Sequence, residues 1–564
     1  MSGRVSRACD GCRVRKVRCN GAQPCSQCEH LSLKCVFAPP PGKRKPGVRG
    51  RLVAQLRESQ NGATSTSNSN SNGNGNHVST ASSAISPSNS GGSLSPSSST
   101  PATTSIAGIV SNSATTSPRS TSSTLSSRYT TEYFLSYLQL FEDQVYPVNP
   151  VVTPAEIQTA IYNMHSDPED AALVYAYAAV TINLTQGSWT ENGDLAGEMT
   201  SLMQLSMAAH RHADALRDSD KGQFGEWHIT AKRIMTCIFN EISMMAFQRH
   251  DRAFSLLREA ITMMQVLNAD QILEGDVPTS GAPSPSGGHS PNDILRLKRV
   301  YWELYIHERF TSTVAGYPCI LPPLRSGIPI GDNSIPKNVD VGFHCLTNLF
   351  CVLDGPFLAH WNAQKDPSIQ NPEMSAQWIE SKQAELDRNE AASLTAHQDL
   401  LNAGDPGLSE YQLADLLVTR LWLRTLVWQF ALSHGLLRSA PPRSTHDGLS
   451  LHFPAQRLSV QLRNLASRIG SVASIVIHGT GILQKLFEIT STVADVLALP
   501  LGPGQTQEEF RARLEDFEFL VRFIFSFDKI RREQRNYLRE KLGTLQTQYT
   551  IIDFADLAKA SPDA

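Results

Sequence analysis

Apolar residues fall at helical spacing only beyond about residue 128. Tyr133, Phe134, Tyr137, Leu138 and Phe141 recur three and four apart ahead of Pro147 and Pro150, predicting a helix that stops before the prolines. Leu173 to Leu184 is nearly all apolar and reads as a buried helix. Stripes from Ile234 through Ile242 to Met245, from Ala253 to Leu267 and from Leu297 to Arg309 repeat the helical period. The same holds for Thr419 to Arg424 with Trp428, for Leu458 to Ile469, for His478 to Leu497 and for Phe510 to Leu545. Almost no strand-like alternation appears, so the expected fold class is mostly α. A large all-helical domain over 128–548 exceeds one simple core, and two stacked layers of helices around a shared interior are expected. Residues 275–292, rich in Gly, Pro and Ser, predict an exposed loop within it. In the tail, 549–564, acidic and bulky apolar residues alternate, which suits either a packed terminal helix or an activation segment.

Upstream the pattern disappears. From Ser59 to Pro118 there is no Asp, Glu, Lys or Arg, and Ser, Thr, Asn and Gly dominate. Such a composition buries too little apolar surface to offset its ordering entropy, so 59–127 is expected to be a disordered linker. Ser86, Ser95, Thr100 and Ser117 each precede a proline and are candidate phosphorylation sites. Residues 36–58 form a basic, Pro-containing linker in which only Leu52, Val53 and Leu56 have apolar spacing. Less than two heptads does not sustain a coiled coil.

Charge and cysteine content change the picture at the amino terminus. Nine Arg and four Lys against Asp10 and Glu29 give residues 1–57 a net charge of +11, while the remaining 37 basic and 51 acidic residues leave −14. A basic head on an acidic body points to a polyanion partner for the head alone. Six of the ten cysteines, Cys9, Cys12, Cys19, Cys25, Cys28 and Cys35, read C-x2-C-x6-C-x5-C-x2-C-x6-C after a short basic arm, 1–8. Thiolate is a preferred zinc ligand, and a C-x2-C step brings two sulfurs to adjacent corners of a tetrahedron. Two tetrahedral ions need eight contacts, so six sulfurs suffice if two bridge; the pseudo-symmetry of the spacing assigns the bridges to Cys9 and Cys25. The module 9–35 is too small for an adequate core, and metal would supply most of its folding free energy. Gly11 and Gly21 let the backbone turn beside the metals, and Pro24 stiffens the loop that delivers Cys25. Between the second and third ligands lies Arg13-Val14-Arg15-Lys16-Val17-Arg18. Cys237, Cys319, Cys345 and Cys351 are expected to be buried free thiols. No secretory pattern opens the sequence, so a reducing compartment is expected. Leu173 to Leu184 is too short to cross a bilayer, so no membrane partner is expected.

Cys9-Asp10-x-Cys12-Arg13-x-Arg15-Lys16-x-x-Cys19-Asn20-Gly21-x-x-Pro24-Cys25-x-x-Cys28 resembles the zinc binuclear cluster (Zn2Cys6) of fungal transcription factors. The resemblance implies two Zn2+ per chain and a short first helix in the DNA major groove, with Lys16 on a CGG triplet. Lys donating to guanine O6 and N7 is the chemistry such a triplet requires. Arg13, Arg15 and Arg18 would hold phosphates, with Arg7 of the basic arm beside them. Lys43, Arg44 and Lys45 suit phosphate contact, nuclear import or both. Many such factors pair two clusters through a coiled coil; its absence here leaves pairing to a homodimer through the helical domain. The string from Lys298 through Arg309 to Pro318 resembles the signature of the fungal-specific middle homology domain, with Glu308 where Asp is usual. RFTSTVAGYPCILPP (309–323) and the Trp422 helix look like relatives that govern sugar use or a secondary-metabolite gene cluster. The implied function is a nuclear activator that engages the transcription machinery and answers to a small-molecule inducer.

Other classes fit less well. There is no phosphate-cradling Gly loop, no G-x-S-x-G and no H-E-x-x-H, so no enzyme is expected. A metal-storage protein has no use for the interleaved basic run. An RNA reader would interleave aromatics for stacking, and Phe37 is the only aromatic in 1–57.

Overall fold

The computed structural model describes Cys9, Cys12, Val17, residues 19–30, 35–37, 129–186, 193–221, 228–267, 291–365, 374–468, 473–499 and 506–559. The readings for the linkers over 38–128, with their phosphorylation candidates, and for the internal loop up to residue 290 lie outside the described residues.

The amino-terminal segment contains α1 (Ser26–His30). The body continues with α2 (Thr131–Leu135), α3 (Leu138–Leu140), a π-helical turn (Phe141–Val145), α4 (Pro154–Asn163), α5 (Pro168–Thr185), α6 (Asp194–Lys221), α7 (Ala231–Ala246), α8 (His250–Val266) and α9 (Pro291–Ala315). It goes on through α10 (Lys337–Cys351), α11 (Gly355–Lys365), α12 (Ala376–Asn402), α13 (Glu410–Ser433), a second π-helical turn (Pro454–Leu458), α14 (Ser459–Arg468), α15 (Ala473–Val476), α16 (Gly479–Leu497), α17 (Gln507–Phe525) and α18 (Arg532–Lys559). Among the described residues there is no strand, only an isolated bridge between Arg438 and Ser450. No single described helix is long and apolar enough to cross a membrane.

Local sequence explains where the main helices start. Thr153 and Glu156 cap each other ahead of α4, and Ser409 and Gln412 do so ahead of α13, each pair satisfying amides that the first turn leaves unpaired. Two helices are buried on nearly every side, α5 and α13. A helix apolar all round belongs inside, and each has neighbours on several flanks. α5 packs on α4, α6 and α7, while α13 packs on α10, α12 and α16. Their contacts merge into one continuous apolar core that runs from Tyr129 to Leu545.

The aromatic helix α9 uses its polar tips to fasten the loop that follows it. Tyr301 Oη donates to the Pro322 carbonyl at 2.8 Å and Trp302 Nε1 to the Gly327 carbonyl at 3.1 Å. Glu308, almost fully buried, accepts from the amides of Ile320 and Leu321 at 2.8 and 2.9 Å and from Arg258 and Arg309 at 3.0 Å each. Arg309 donates onward to the Leu321 carbonyl at 2.6 Å and lies over the Tyr305 ring. The carboxylate thus has a donor for every direction in which burial would otherwise leave it unsatisfied. On α13, Arg424 is held by Gln383 and Asp387, Trp422 Nε1 donates to Glu488 at 2.6 Å, and Trp428 Nε1 donates to the Ser450 carbonyl at 2.9 Å.

Four predicted boundaries shift. The Tyr133–Phe141 stripe is broken into α2, α3 and the start of a π-helical turn. The Phe510–Leu545 stripe is interrupted at 526–531, where Arg535 of α18 reaches back to the carbonyls of Phe525 and Phe527 at 3.1 and 3.0 Å. α9 begins at Pro291, two residues inside the expected loop, and α18 keeps its helical backbone through Lys559. Cys237 and Cys345 are buried, Cys319 and Cys351 partly so, and all four are free thiols.

Candidate metal centre and nucleic-acid-reading module

The six amino-terminal cysteines converge although the segment has no other apolar core to draw them in. Cys9, Cys12, Cys25 and Cys28 are fully buried, Cys19 nearly so, and Cys35 is half-buried. Among the described residues, Val17 and Phe37 pack around them. The sulfurs form two quartets, Cys9, Cys12, Cys19 and Cys25 in one and Cys9, Cys25, Cys28 and Cys35 in the other, each with its ligand atoms within 4.8 Å of one another. Cys9 and Cys25 belong to both.

Backbone amides repeat this two-fold relation. Cys12 N–H donates to Cys9 Sγ and Cys28 N–H to Cys25 Sγ, both at 3.4 Å. Cys9 N–H points at Cys19 Sγ at 3.5 Å and Cys25 N–H at Cys35 Sγ at 3.2 Å. Gly21, at a φ of +74° that disfavours other residues, turns its amide onto Cys19 Sγ at 3.4 Å. Burial raises the thiol pKa values, but at the two shared sulfurs the amide and neighbouring thiol contacts outweigh it. Cys9 lies below the ordinary value and Cys25 falls to about 6, whereas burial pushes Cys12 far up and Cys28 to about 12. The shared sulfurs are therefore the most acidic of these four.

The arrangement fits two zinc ions. Sulfur pairs Cys9–Cys25, Cys9–Cys28 and Cys12–Cys25 lie 3.6, 3.5 and 3.5 Å apart. The edge of a tetrahedron with bonds of about 2.3 Å is about 3.8 Å, so little movement closes both quartets on metal. Residues 7–45 match the model of the fungal Zn(2)-Cys(6) binuclear cluster domain. The chain carries a Zn2Cys6 binuclear cluster domain. Such a cluster binds two zinc ions, and all-thiolate coordination marks them as structural, with no open position for a substrate.

Relatives share the cluster with this chain. Transcription factor PDR1 of Saccharomyces cerevisiae is 38% identical over 68 residues, 11% of this chain and 6% of its own length. The quinic acid utilization activator of Emericella nidulans is 57% identical over 42 residues, 7% and 5% of the two lengths. The probable sucrose utilization protein SUC1 of Candida albicans is 22% identical over 275 residues, 48% of this chain and 47% of SUC1, a stretch that takes in much more than the cluster. The chain thus spans about half the length of SUC1 and a small part of the others.

Of the predicted DNA contacts, Arg7, Arg13, Arg15, Lys16, Arg18, Lys43, Arg44 and Lys45 all lie outside the described residues. Val17, the described residue of the basic run, donates its amide to the Cys12 carbonyl at 3.0 Å and packs on the sulfurs. One grouping escaped the sequence reading, a cavity in the helical body lined by Glu241, Glu303 and His307. Glu303 and His307 stand one helical turn apart, which was the only local signal.

Proposed function

We propose that the chain is a sequence-specific, DNA-binding regulator of transcription that acts in the nucleus as an activator of a metabolic gene set. The observation that carries this reading is the pair of cysteine quartets sharing Cys9 and Cys25, with Arg13 to Arg18 strung between two of their ligands. Cys9 and Cys25 bridge the ions. Lys16 donates to guanine O6 and N7 of a CGG site; Arg13, Arg15 and Arg18 hold the flanking phosphates, extended by Arg7 and by Lys43, Arg44 and Lys45. A single triplet is too short an address in a genome, so a second copy joined through the helical body, or a partner, completes the site. Relatives named for maltose fermentation, sucrose utilization and a fumonisin cluster support sugar use or a secondary-metabolite cluster as the target set. The likeness to SUC1 beyond the cluster supports a regulatory role for the helical body, which meets the transcription machinery and answers to a small inducer.

Binding of the zinc-loaded chain to CGG-containing and scrambled duplexes tests the reading. Lys16→Ala weakens the CGG duplex by about 1–3 kcal/mol and relaxes the preference for the triplet. Arg13→Ala weakens all duplexes alike and lowers the salt slope by about one. A Lys16→Ala chain that keeps its full preference for CGG contradicts the assignment.

A further inference from the structure

A cavity of about 150 Å3 lies where α7, α9, α13 and the start of α16 meet. That is the size at which an apolar cavity admits one benzene-sized ring. Phe310 and Phe350 supply flat apolar wall, yet an unusual number of charged groups share the lining.

On one side His307 Nδ1 donates to Glu241 Oε2 at 2.9 Å and His307 Nε2 faces Glu303 Oε1 at 3.4 Å. Both carboxylates are 3% exposed. An imidazolium between two carboxylates leaves one net negative charge. Glu241 Oε1 and Glu303 Oε2 meet no donor among the described residues. On the other side Lys485 is occupied by Asp415 at 3.3 Å and Thr419 at 2.7 Å, with the rings of Phe310, Phe350 and Trp422 around it. His478 Nε2 donates to the Tyr411 carbonyl at 2.9 Å, and Nδ1 faces Asp415 Oδ2 at 3.8 Å. Burial lowers the His478 pKa against the opposing pull of Asp415. At the third edge α16 opens at Gly479 with no side-chain cap, and Thr480 and Gly481, whose first-turn amides have no acceptor within the helix, are lining residues. Gly479 has a φ of +63° and a side chain there would press on Leu184, another lining residue.

The cavity therefore offers carboxylate acceptors on two edges and donors on a third, beside aromatic faces, with a net negative charge at the Glu241–Glu303 edge. A carboxylate or phosphate is repelled. An ammonium satisfies the acceptors but leaves the amides of α16 unmatched. A hydroxyl both donates and accepts, and several hydroxyls on one small ring meet all three edges.

We propose that this cavity binds a neutral, ring-sized, polyhydroxylated molecule. The identification of this ligand as an inducer rests on the regulatory reading of the body given above; the binding itself does not. Zinc-loaded full-length protein is titrated by calorimetry with glucose, myo-inositol, cyclohexylamine and cyclohexanecarboxylate. The expected result is millimolar or tighter binding of glucose or myo-inositol, weakened at least tenfold by Glu303→Gln. Because Glu303 also steadies His307, Leu346→Trp provides a second variant that fills the cavity without touching a charged group, and it abolishes binding. Binding of neither polyol, tighter binding of the amine or the carboxylate, or polyol binding that survives Leu346→Trp overturns the proposal. Polyol binding without any change in output from a CGG reporter supports the site and refutes the inducer reading alone.

Discussion

The cysteine module and the helical body obtain a fixed structure by opposite means. Among the described residues of the module, five buried cysteines make up the interior, with Val17, Phe37 and Cys35 packed against them. In the body, one continuous core from Tyr129 to Leu545 is built of aliphatic and aromatic side chains, and its buried charges are paired within it. The module has little apolar surface to withdraw from water, so ligand bonds must replace the hydrophobic term that the body's core supplies. The difference teaches where each part is vulnerable. The reader of DNA fails on loss of a ligand or an ion, and the body fails on loss of packing or of a buried partner.

Chelation gives the largest expected separation. Each structural zinc contributes roughly 10 kcal/mol or more, so stripping both unfolds the module outright. The body's melting transition, followed by far-ultraviolet circular dichroism, stays where it was. A body that melts earlier after chelation breaks the comparison. Glu308→Ala comes next. It leaves the amides of Ile320 and Leu321 and two guanidinium groups without their acceptor, an expected loss of about 3–5 kcal/mol from the body. Zinc content is expected to remain unchanged, and urea melts with metal analysis check both.

A smaller effect depends on pH. Burial alone would depress His307, but Glu241 and Glu303 outweigh it and raise it to about 10. A value raised on folding means that the stabilisation is fully present below the unfolded value of about 6.5 and is lost as pH rises through about 10. The stability difference between the parent chain and His307→Gln is therefore largest near pH 6 and vanishes above pH 10. A difference that grows with pH contradicts the pairing.

Much of this contrast was legible in the amino acids, for physical reasons that differ between the regions. Cluster ligands sit within 27 positions of one another, so spacing alone exposes the two halves and their shared first cysteines. Helices such as α5, α7 and α16 announce themselves by dense apolar runs. α12 does not, because most of Ala376 to Asn402 is polar and only scattered residues such as Ile379, Leu386 and Leu400 face inward. The break between α17 and α18 carries no Gly or Pro, and its caps come from Arg535 on the following helix. The pairing of His307 with Glu241 joins residues 66 positions apart, and the cavity around them draws on several helices, so the one-turn spacing of Glu303 and His307 is all that local sequence carries of it.

We propose that six sulfurs hold two zinc ions because Cys9 and Cys25 serve both. Native mass spectrometry of the full chain, combined with thiol alkylation and peptide mapping, tests it most directly. The prediction is two zinc ions per chain, with Cys9, Cys12, Cys19, Cys25, Cys28 and Cys35 all protected together and all released together on chelation. One zinc per chain, with four of these cysteines protected and two freely alkylated, would contradict it.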